Sequence, residues 1–274
     1  MKKKYLSYPY LFWMIMFAII PLALVLFYSV VAIDKGGVHF TLDNFKRVFE
    51  PIYLSVFLRS IKIAAISTVI CFILGYPMAM ILASKNLSKK SILVVLFVIP
   101  MWMNFLARTY AWMTLLEKNG LIATVFGILG IKLPVLLYTE NAVILGMVYN
   151  FLPFMVLPIY SVLIKIDKAV LEAAEDLGAP PLIVFSRVIF PLSLPGVSSG
   201  VIMVFMPALT TFVISRLLGG AHFTLIGNLI EQQFLTTRDW GFGSALSVVL
   251  MLMIMFSMGI ALRYEKENEG GGLW

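Results

Sequence analysis

The chain has 274 residues, of which 61% are hydrophobic and only 13% are charged, and its mean hydropathy is +0.98. Soluble domains carry roughly 25% charged residues. One core of this size cannot bury so much apolar surface, so lipid must cover the remainder and a soluble domain is excluded. The net charge of +7 would suit a nucleic-acid-binding protein, but the charges lie in short segments between apolar runs. That pattern indicates membrane topology and no nucleic-acid partner.

Cysteine and histidine are too rare to support a metal or disulfide framework. The single cysteine, Cys71, lies within an apolar run, so no disulfide can form inside the chain. The two histidines, His39 and His222, are far apart in the sequence and belong to no metal-binding motif. We therefore expect no metal site, catalytic residue or cofactor in this chain.

Six stretches have almost no charged residue and are long enough to cross a bilayer, for which a helix needs about 20 apolar residues. We predict membrane-spanning helices at residues 10–33, 63–84, 91–116, 141–164, 188–215 and 240–262. Each stretch is apolar on all sides, whereas the strands of a membrane β-barrel alternate between polar and apolar residues. The sequence therefore predicts an all-α polytopic membrane protein, with one transmembrane domain at residues 1–264 and a flexible tail at residues 265–274.

The first apolar run has two interpretations. Lys2, Lys3 and Lys4 precede it, as basic residues precede the core of a cleaved signal peptide. The run is longer than a usual signal core, and no small-x-small cleavage site follows it before Asp34. We therefore expect the first span to be retained.

The basic residues predict the orientation of the spans. Connecting segments that would be inside are short and rich in lysine, most clearly the loop with Lys85, Lys89 and Lys90. Basic residues in the other segments are spread over longer stretches. Both termini are therefore expected on the inside.

Two of the segments expected outside contain short helical patterns. Residues 41–49 predict a short helix capped by Thr41 or Asp43. Residues 121–131 are apolar but too short to span, which indicates an interfacial or re-entrant helix. Each could pack on lipid or on an external partner.

The loop at residues 165–190 contains an amphipathic helix. Asp167 is a suitable N-cap, and Gly178 suits the left-handed position that ends a helix. A second helix is expected from Leu182 to Ile189, ending near Pro191. The apolar stripe of the first helix, at spacing i, i+3, i+4 and i+7, consists of Val170, Ala173, Ala174 and Leu177.

This stripe could lie on lipid or in a groove of another protein. Anionic lipid on the inner surface attracts basic residues, but this helix has one lysine, Lys168, and three acids, Glu172, Glu175 and Asp176. Small alanines also favour close packing against protein over insertion into lipid. We therefore expect a protein groove to bind this helix.

The same loop resembles the EAA loop of ABC-importer permease subunits. That pattern is Glu-Ala-Ala, three residues, Gly, nine residues, then Ile-x-Leu-Pro. Here it runs from Glu172 to Gly178 and on to Pro191, with Val188 and Phe190 as mild departures. Further stretches are similar to spermidine/putrescine permeases within this family, namely residues 40–44, 74–77, 152–160, 171–179, 226–230, Phe234 and 238–240.

The resemblance implies a type I importer permease in the cytoplasmic membrane of a bacterium. It implies partners: a cytoplasmic ATPase dimer that binds ATP–Mg, a second homologous permease subunit and an extracytoplasmic polyamine-binding protein. The chain has no Walker-type phosphate-binding motif, so ATP must bind to a partner. The residues implied in ATPase coupling are Val170, Glu172, Ala173, Ala174, Leu177, Gly178 and Ala179.

A polyamine path needs acids or aromatic faces. No acid lies inside a predicted span, so the candidates are Tyr149, Asn150, Trp102, Tyr110, Trp112, Glu231 and Asp239. An interfacial aromatic belt or ordinary loop acids are the alternatives for most of them. Arg108, near the end of the third span, is expected to extend its charge towards water.

Three other functions are open to an apolar chain of this length. A secondary transporter would show internal repeats and intramembrane ionisable groups for ion coupling, and neither a repeat nor an acid inside a predicted span is evident. A membrane enzyme would need a catalytic cluster, which neither histidine provides. An importer permease for iron, sulfate or another small solute is the serious alternative.

Overall fold

The computed structural model describes residues 8–34, 37–84, 90–131, 134–220 and 223–269. Several residues used above lie outside these ranges, namely Lys2, Lys3, Lys4, Lys85, Lys89, His222 and the end of the predicted tail at residues 270–274. The chain divides into two compact units. One unit is Met1–Leu58 with Ile226–Phe256, and the other is Arg59–Leu225 with Ser257–Trp274.

The described residues are mostly helical. The first half contains α1 (Tyr8–Ser29), β1 (Val31–Asp34), β2 (Gly37–Phe40), α2 (Asp43–Val48), α3 (Pro51–Ala83), α4 (Lys90–Trp102), α5 (Phe105–Leu116) and α6 (Leu121–Ile128). The second half contains α7 (Glu140–Leu163), α8 (Lys168–Asp176), α9 (Pro181–Thr210), α10 (Val213–Gly219), α11 (Ile226–Gln232) and α12 (Trp240–Glu269).

Five of these helices are long and apolar enough to cross a membrane: α1, α3, α7, α9 and the Trp240–Gly259 part of α12. The α4 helix and the segment from Phe105 to Ile128 pass the same test together but are bent by 89° at the break between them. Taken as one broken span, they bring the number to the six that the sequence predicts. The prediction of a polytopic helical membrane protein is confirmed.

The first predicted span is too long at its end. Helix α1 ends at Ser29, and β1 pairs with β2 as an antiparallel hairpin, from Val31 opposite Phe40 to Asp34 opposite Gly37. The predicted all-α fold therefore contains one hairpin. The β-branched and aromatic residues around the Gly-Gly pair were the available signal for it, but the apolar residues before the turn extend the helical pattern without a break.

The third predicted span, 91–116, is not a single straight helix. It breaks after Trp102, and a new helix starts at Phe105. Asn104 caps this helix, since its side-chain oxygen accepts hydrogen bonds from the backbone N–H groups of Leu106 at 2.8 Å and Ala107 at 3.3 Å. A capping side chain that satisfies two backbone donors stabilises a helix start at that residue.

The fifth predicted span, 188–215, has different ends. Helix α9 ends at Thr210, and Val213–Gly219 forms the separate helix α10. The predicted helix end near Pro191 is also wrong, because α9 continues through it by way of a π-helical turn at Phe185–Ile189. A proline cannot donate a hydrogen bond and crowds the preceding turn, and a wider π turn beside it lets the helix continue.

Of the three other spans, one matches the prediction closely and two are longer than predicted. Helix α7 matches residues 141–164 within one residue at each end. Helix α3 starts at Pro51, 12 residues before the predicted 63, because polar residues near its start remain compatible with helix. Helix α12 continues to Glu269, so residues 265–269 of the predicted tail are helical.

Glycines allow close approach of α7, α9 and α10 in the unit Arg59–Leu225. A Cβ atom on Gly196 of α9 would lie 2.9 Å from the backbone oxygen of Pro158 in α7, and one on Gly200 would lie 2.9 Å from the sulfur of Met155. Gly146 of α7 meets Leu218 of α10 in the same way. Small residues spaced four apart let membrane helices pack backbone to backbone, which is the main source of packing energy where no water is expelled.

In the unit that contains α2, α11 and the start of α12, a partly exposed ion pair joins α2 to the start of α12. The Arg47 guanidinium donates to Asp239 Oδ2 at 2.8 Å and lies 4.1 Å from the ring centre of Phe242. Asp239 Oδ1 accepts from the backbone N–H of Phe242 at 3.0 Å and so caps α12. Burial opposes the charge on Arg47, but the hydrogen bond and charge of Asp239, with Tyr53, outweigh it and raise the pKa of Arg47 above its ordinary value.

We expect Gly196→Ala to lower the unfolding free energy of the protein by about 1–3 kcal/mol, since the new methyl group meets a backbone oxygen that cannot rotate away. Thermal unfolding in detergent or lipid nanodiscs measures the effect. Gly259→Ala is the matched control, because a Cβ there meets nothing within 4 Å and alanine favours helix. Equal unfolding temperatures for the two variants would contradict close packing at Gly196.

Replacement of Asp239 separates its two roles. Asp239→Asn keeps the helix cap and loses the ion pair, which we expect to cost about 1 kcal/mol. Asp239→Ala loses the cap as well and should cost roughly 1 kcal/mol more. Unfolding temperatures should therefore decrease in the order wild type, Asn, Ala. Asp43→Asn is the control, since its pair with Lys46 is fully exposed. An equal decrease for that control would show that the Asp239 contacts contribute nothing special.

Candidate functional site

Helix α8 has the ends that the sequence predicts. Asp167 caps it by accepting a hydrogen bond from the backbone N–H of Ala169 at 3.0 Å. Gly178 has φ of +76° and donates its backbone N–H to the Glu175 oxygen at 2.8 Å, while Ala179 donates to the Ala174 oxygen at 3.2 Å. This pair of bonds is the Schellman ending of a helix, and the left-handed backbone at Gly178 favours glycine.

The apolar stripe of α8 is open to the surroundings. Leu177 is 87% exposed, Val170 and Ala173 are also exposed, and Ala174 lies at the edge of the stripe with intermediate exposure. No residue of α8 is buried. Apolar side chains aligned on one exposed helix face indicate a surface that another body covers.

The opposite side of α8 points towards the other helices of the unit that contains Arg59–Leu225. Four residues of α8 at spacing i, i+3, i+4 and i+7 line a cavity of about 620 Å³, together with the C-terminal ends of α3 and α7 and with Ile189 of α9. The four residues are Lys168, Leu171, Glu172 and Glu175. Glu172 therefore lies on the face opposite to the apolar stripe. The residues predicted to couple to the ATPase therefore lie on both faces of α8. The sequence motif that suggested them is a run of neighbouring residues, and neighbouring residues of a helix point in different directions.

Two path candidates from different helices are brought together. Trp112 of α5 and Tyr149 of α7 form an edge-to-face pair with ring centroids 5.2 Å apart. Asn150 follows Tyr149 and is 1% exposed. Its amide nitrogen donates to the Gly146 oxygen at 2.8 Å, but its Oδ1 has no hydrogen-bond partner among the described residues. A buried acceptor of this kind calls for a donor from water or from a ligand.

Arg108 does not extend towards water. It is 8% exposed, and its Nε has no hydrogen-bond partner among the described residues. It lies one turn before Trp112 on the buried face of α5, so the prediction that it reaches outwards is wrong. Packing of α5 against α7 and α10 decides this burial, and hydropathy along the chain does not report it.

The other path candidates lie apart from this group. Trp102 ends α4 and is 83% exposed, and Tyr110 is half exposed on the other face of α5. Glu231 lies in α11, within the unit that contains Asp239. Both carboxylate oxygens of Asp239 are engaged, by Arg47 and by the start of α12, so Asp239 has a structural role in this conformation.

A second cavity, of about 470 Å³, lies beside Asp239 and is lined by Tyr28, Asn44, Arg238 and Trp240 among others. Among the described residues, no group of three or more His, Cys, Asp and Glu side chains could hold a metal ion.

Comparisons with known proteins identify the family. The model of the family described as binding-protein-dependent transport system inner membrane component matches residues 72–267. The chain is 41% identical, over 88% of its length and 90% of the relative, to the spermidine/putrescine transport system permease protein PotB of Escherichia coli K12. It is 40% identical to PotB of Haemophilus influenzae, over 89% of this chain and 88% of that protein.

Solved structures support the same fold. A bacterial ABC transporter involved in the import of the acidic polysaccharide alginate matches with a TM-score of 0.79, over 95% of this chain and 94% of that one, at 15% identity. A structure of a bacterial alginate transporter in complex with a periplasmic protein matches equally well. The relatives are transport permease subunits and not enzymes. The chain belongs to the family of binding-protein-dependent transport system inner membrane components, as a permease subunit of an ABC importer.

Proposed function

We propose that this chain is one permease subunit of an ATP-driven polyamine importer, and that α8 is the helix that docks on the ATPase. The observation that carries the docking proposal is the opposition of the two faces of α8. One face lines a cavity within its own unit, and the other exposes Val170, Ala173 and Leu177.

The exposed stripe favours a protein groove over lipid. Covering one leucine side chain stabilises a complex by about 1.5–3 kcal/mol, and Leu177 is nearly fully exposed. The acids of α8 would be repelled by anionic lipid. Gly178 ends the helix with open space around its Cα, which allows a partner to approach the backbone closely.

The energy of transport is supplied by partners. ATP–Mg binds to a cytoplasmic ATPase dimer that holds α8, and a second homologous permease subunit completes the pathway. A polyamine-loaded binding protein engages the opposite side of the membrane. ATP and the loaded binding protein shift the bundle between two conformations through their different affinities for each. Both termini and α8 lie on the cytoplasmic side of a bacterial membrane in this arrangement.

Polyamine is the substrate favoured by the two PotB relatives and by the site chemistry. The faces of Trp112 and Tyr149 attract an ammonium group, and Asn150 Oδ1 accepts a hydrogen bond from it. Arg108, one turn before Trp112 on α5, repels a further ammonium group close to this point. A long polyamine would therefore pass this point with its charges in single file.

Charge on the apolar stripe should prevent docking. We expect Leu177→Asp to weaken ATPase binding by about 10- to 100-fold, the range for loss of a buried anchor residue. Co-purification of the ATPase and its permease-dependent ATP hydrolysis measure the effect. Leu182→Asp is the matched control, since Leu182, in the first turn of α9 and outside α8, is also strongly exposed. Normal ATPase binding by Leu177→Asp would overturn the docking proposal.

Loss of the aromatic face should weaken polyamine uptake. We expect Tyr149→Leu to raise the KM for spermidine by about 2- to 30-fold, which corresponds to one cation–π contact. Uptake into proteoliposomes that contain the whole complex measures it, with Trp102→Leu as the exposed aromatic control. If the complex imports sulfate or an iron complex and no polyamine, the proposed substrate is wrong, and the assignment of the chain as a permease subunit still holds.

A further inference from the structure

On its C-terminal side, the link between α8 and the bundle begins at one residue. Among residues 161–183, all of which the structure describes, none is buried. The first buried side chain after α8 is Val184, at 6% exposure, directly before the π-helical turn Phe185–Ile189. A displacement of α8 that passes along the chain towards α9 therefore meets buried protein first at this turn.

Aromatic rings surround the π-helical turn. Tyr76 of α3 contacts Phe185 and Phe190, which stand at the start of the turn and directly after it, with both ring centroids 5.7 Å from its own. Phe185 and Phe190 contact each other at 6.1 Å, and Phe72 contacts Tyr76 from within α3. We call Phe72, Tyr76, Phe185 and Phe190 the aromatic clasp. Edge-to-face and tilted contacts of this kind fix the relative orientation of the rings.

A directed hydrogen bond completes the clasp. The Tyr76 hydroxyl lies 2.8 Å from Ser193 Oγ, and Ser193 Oγ donates to the Phe190 backbone oxygen at 2.8 Å. A serine hydroxyl has one proton, so Tyr76 is the donor to Ser193. Tyr76 and Ser193 are buried, where an unmade hydrogen bond is costly. The bond therefore holds α3 to the first turn of α9 that follows the π-helical turn.

Both helices are easily bent at this level. Pro77 follows Tyr76 in α3, and Pro191 follows the π-helical turn in α9. Each proline removes a backbone donor, and helices bend most readily at prolines and π turns. Two bendable helices joined at their bending points must move together or break the bond between them.

We propose that Tyr76 is a positioning residue that transmits the displacement of α8 to α3. It acts through Ser193 and the aromatic clasp and touches neither substrate nor nucleotide. The inference rests on the proposed function, because the displacement of α8 is the work of the ATPase. With the bond present, ATP-driven movement of α8 bends α3; without it, the π-helical turn absorbs part of the movement.

Tyr76→Phe removes one hydroxyl and keeps the ring, and Ser193→Ala removes its partner. In proteoliposomes with the whole complex, we expect each to raise the ATP hydrolysed per spermidine imported by about 2- to 12-fold, the factor of one net hydrogen bond. The double variant should show no further increase, since both remove the same link. Ser198→Ala is the control, since its hydroxyl bonds to Pro195 in the same helix, and it should leave the ratio unchanged.

A purely structural role would lower the unfolding temperature and leave this ratio at the wild-type value, which would overturn the proposal. Hydrogen exchange of the full chain in nanodiscs tests it without ATPase or substrate. Tyr76→Phe should speed amide exchange both at residues 181–190 and around Pro77. Faster exchange at only one of the two places would also overturn the link. Failure of the proposed function is distinguishable from failure of the Tyr76 proposal, because in the first case the wild-type complex would import no spermidine.

Discussion

Backbone-to-backbone packing between α7 and α9 is the constraint on which the larger unit depends. Within lipid no water is expelled when helices meet, so their association depends on close contact and satisfied polar groups. Gly196 and Gly200 provide that contact against Pro158 and Met155. The approach positions the end of α7 and the start of α9, and these two ends carry α8 between them. Helix α8 is therefore held at both ends by a closely packed pair of spans, although none of its own residues is buried.

The two faces of α8 have different surroundings. The stripe that includes Leu177 is exposed, while Glu172 and Glu175 line the cavity on the other side. A helix that is free on one side and separated from its own bundle by a cavity on the other can shift without loss of core packing. In the function that we propose, displacement of α8 passes into α9 through the π-helical turn, where the aromatic clasp provides firm contacts. The exposed stripe, the cavity and the aromatic clasp together form the mechanical path that this proposal requires between a partner and the membrane.

Near the C-terminal end of the chain, Asp239 stabilises the structure, although the sequence suggested it as a residue of the substrate path. Asp239 uses both oxygens to hold Arg47 and the start of α12. Asn150, by contrast, has a buried oxygen without a hydrogen-bond partner among the described residues, and it follows Tyr149 of the aromatic pair in the chain. Two residues with similar prior claims to a substrate path are therefore distinguished by their hydrogen bonds, because a carboxylate already paired and capped has little capacity left for a ligand.

The sequence by itself determined the number and approximate position of the spans, since hydropathy reports the transfer of each segment to lipid. It also determined α8 with both caps, because Asp167, the i, i+3, i+4 stripe and Gly178 act within a few residues of one another. Contacts between distant residues were decided only by the tertiary structure. Arg108 is buried, Asp239 pairs with Arg47 across nearly 200 residues of chain, and Tyr76 joins Ser193, because helix packing sets which faces meet. The β-hairpin after α1 and the continuation of α9 through Pro191 belong to the same class, since local propensity favoured the alternatives and packing and backbone pairing outweighed it.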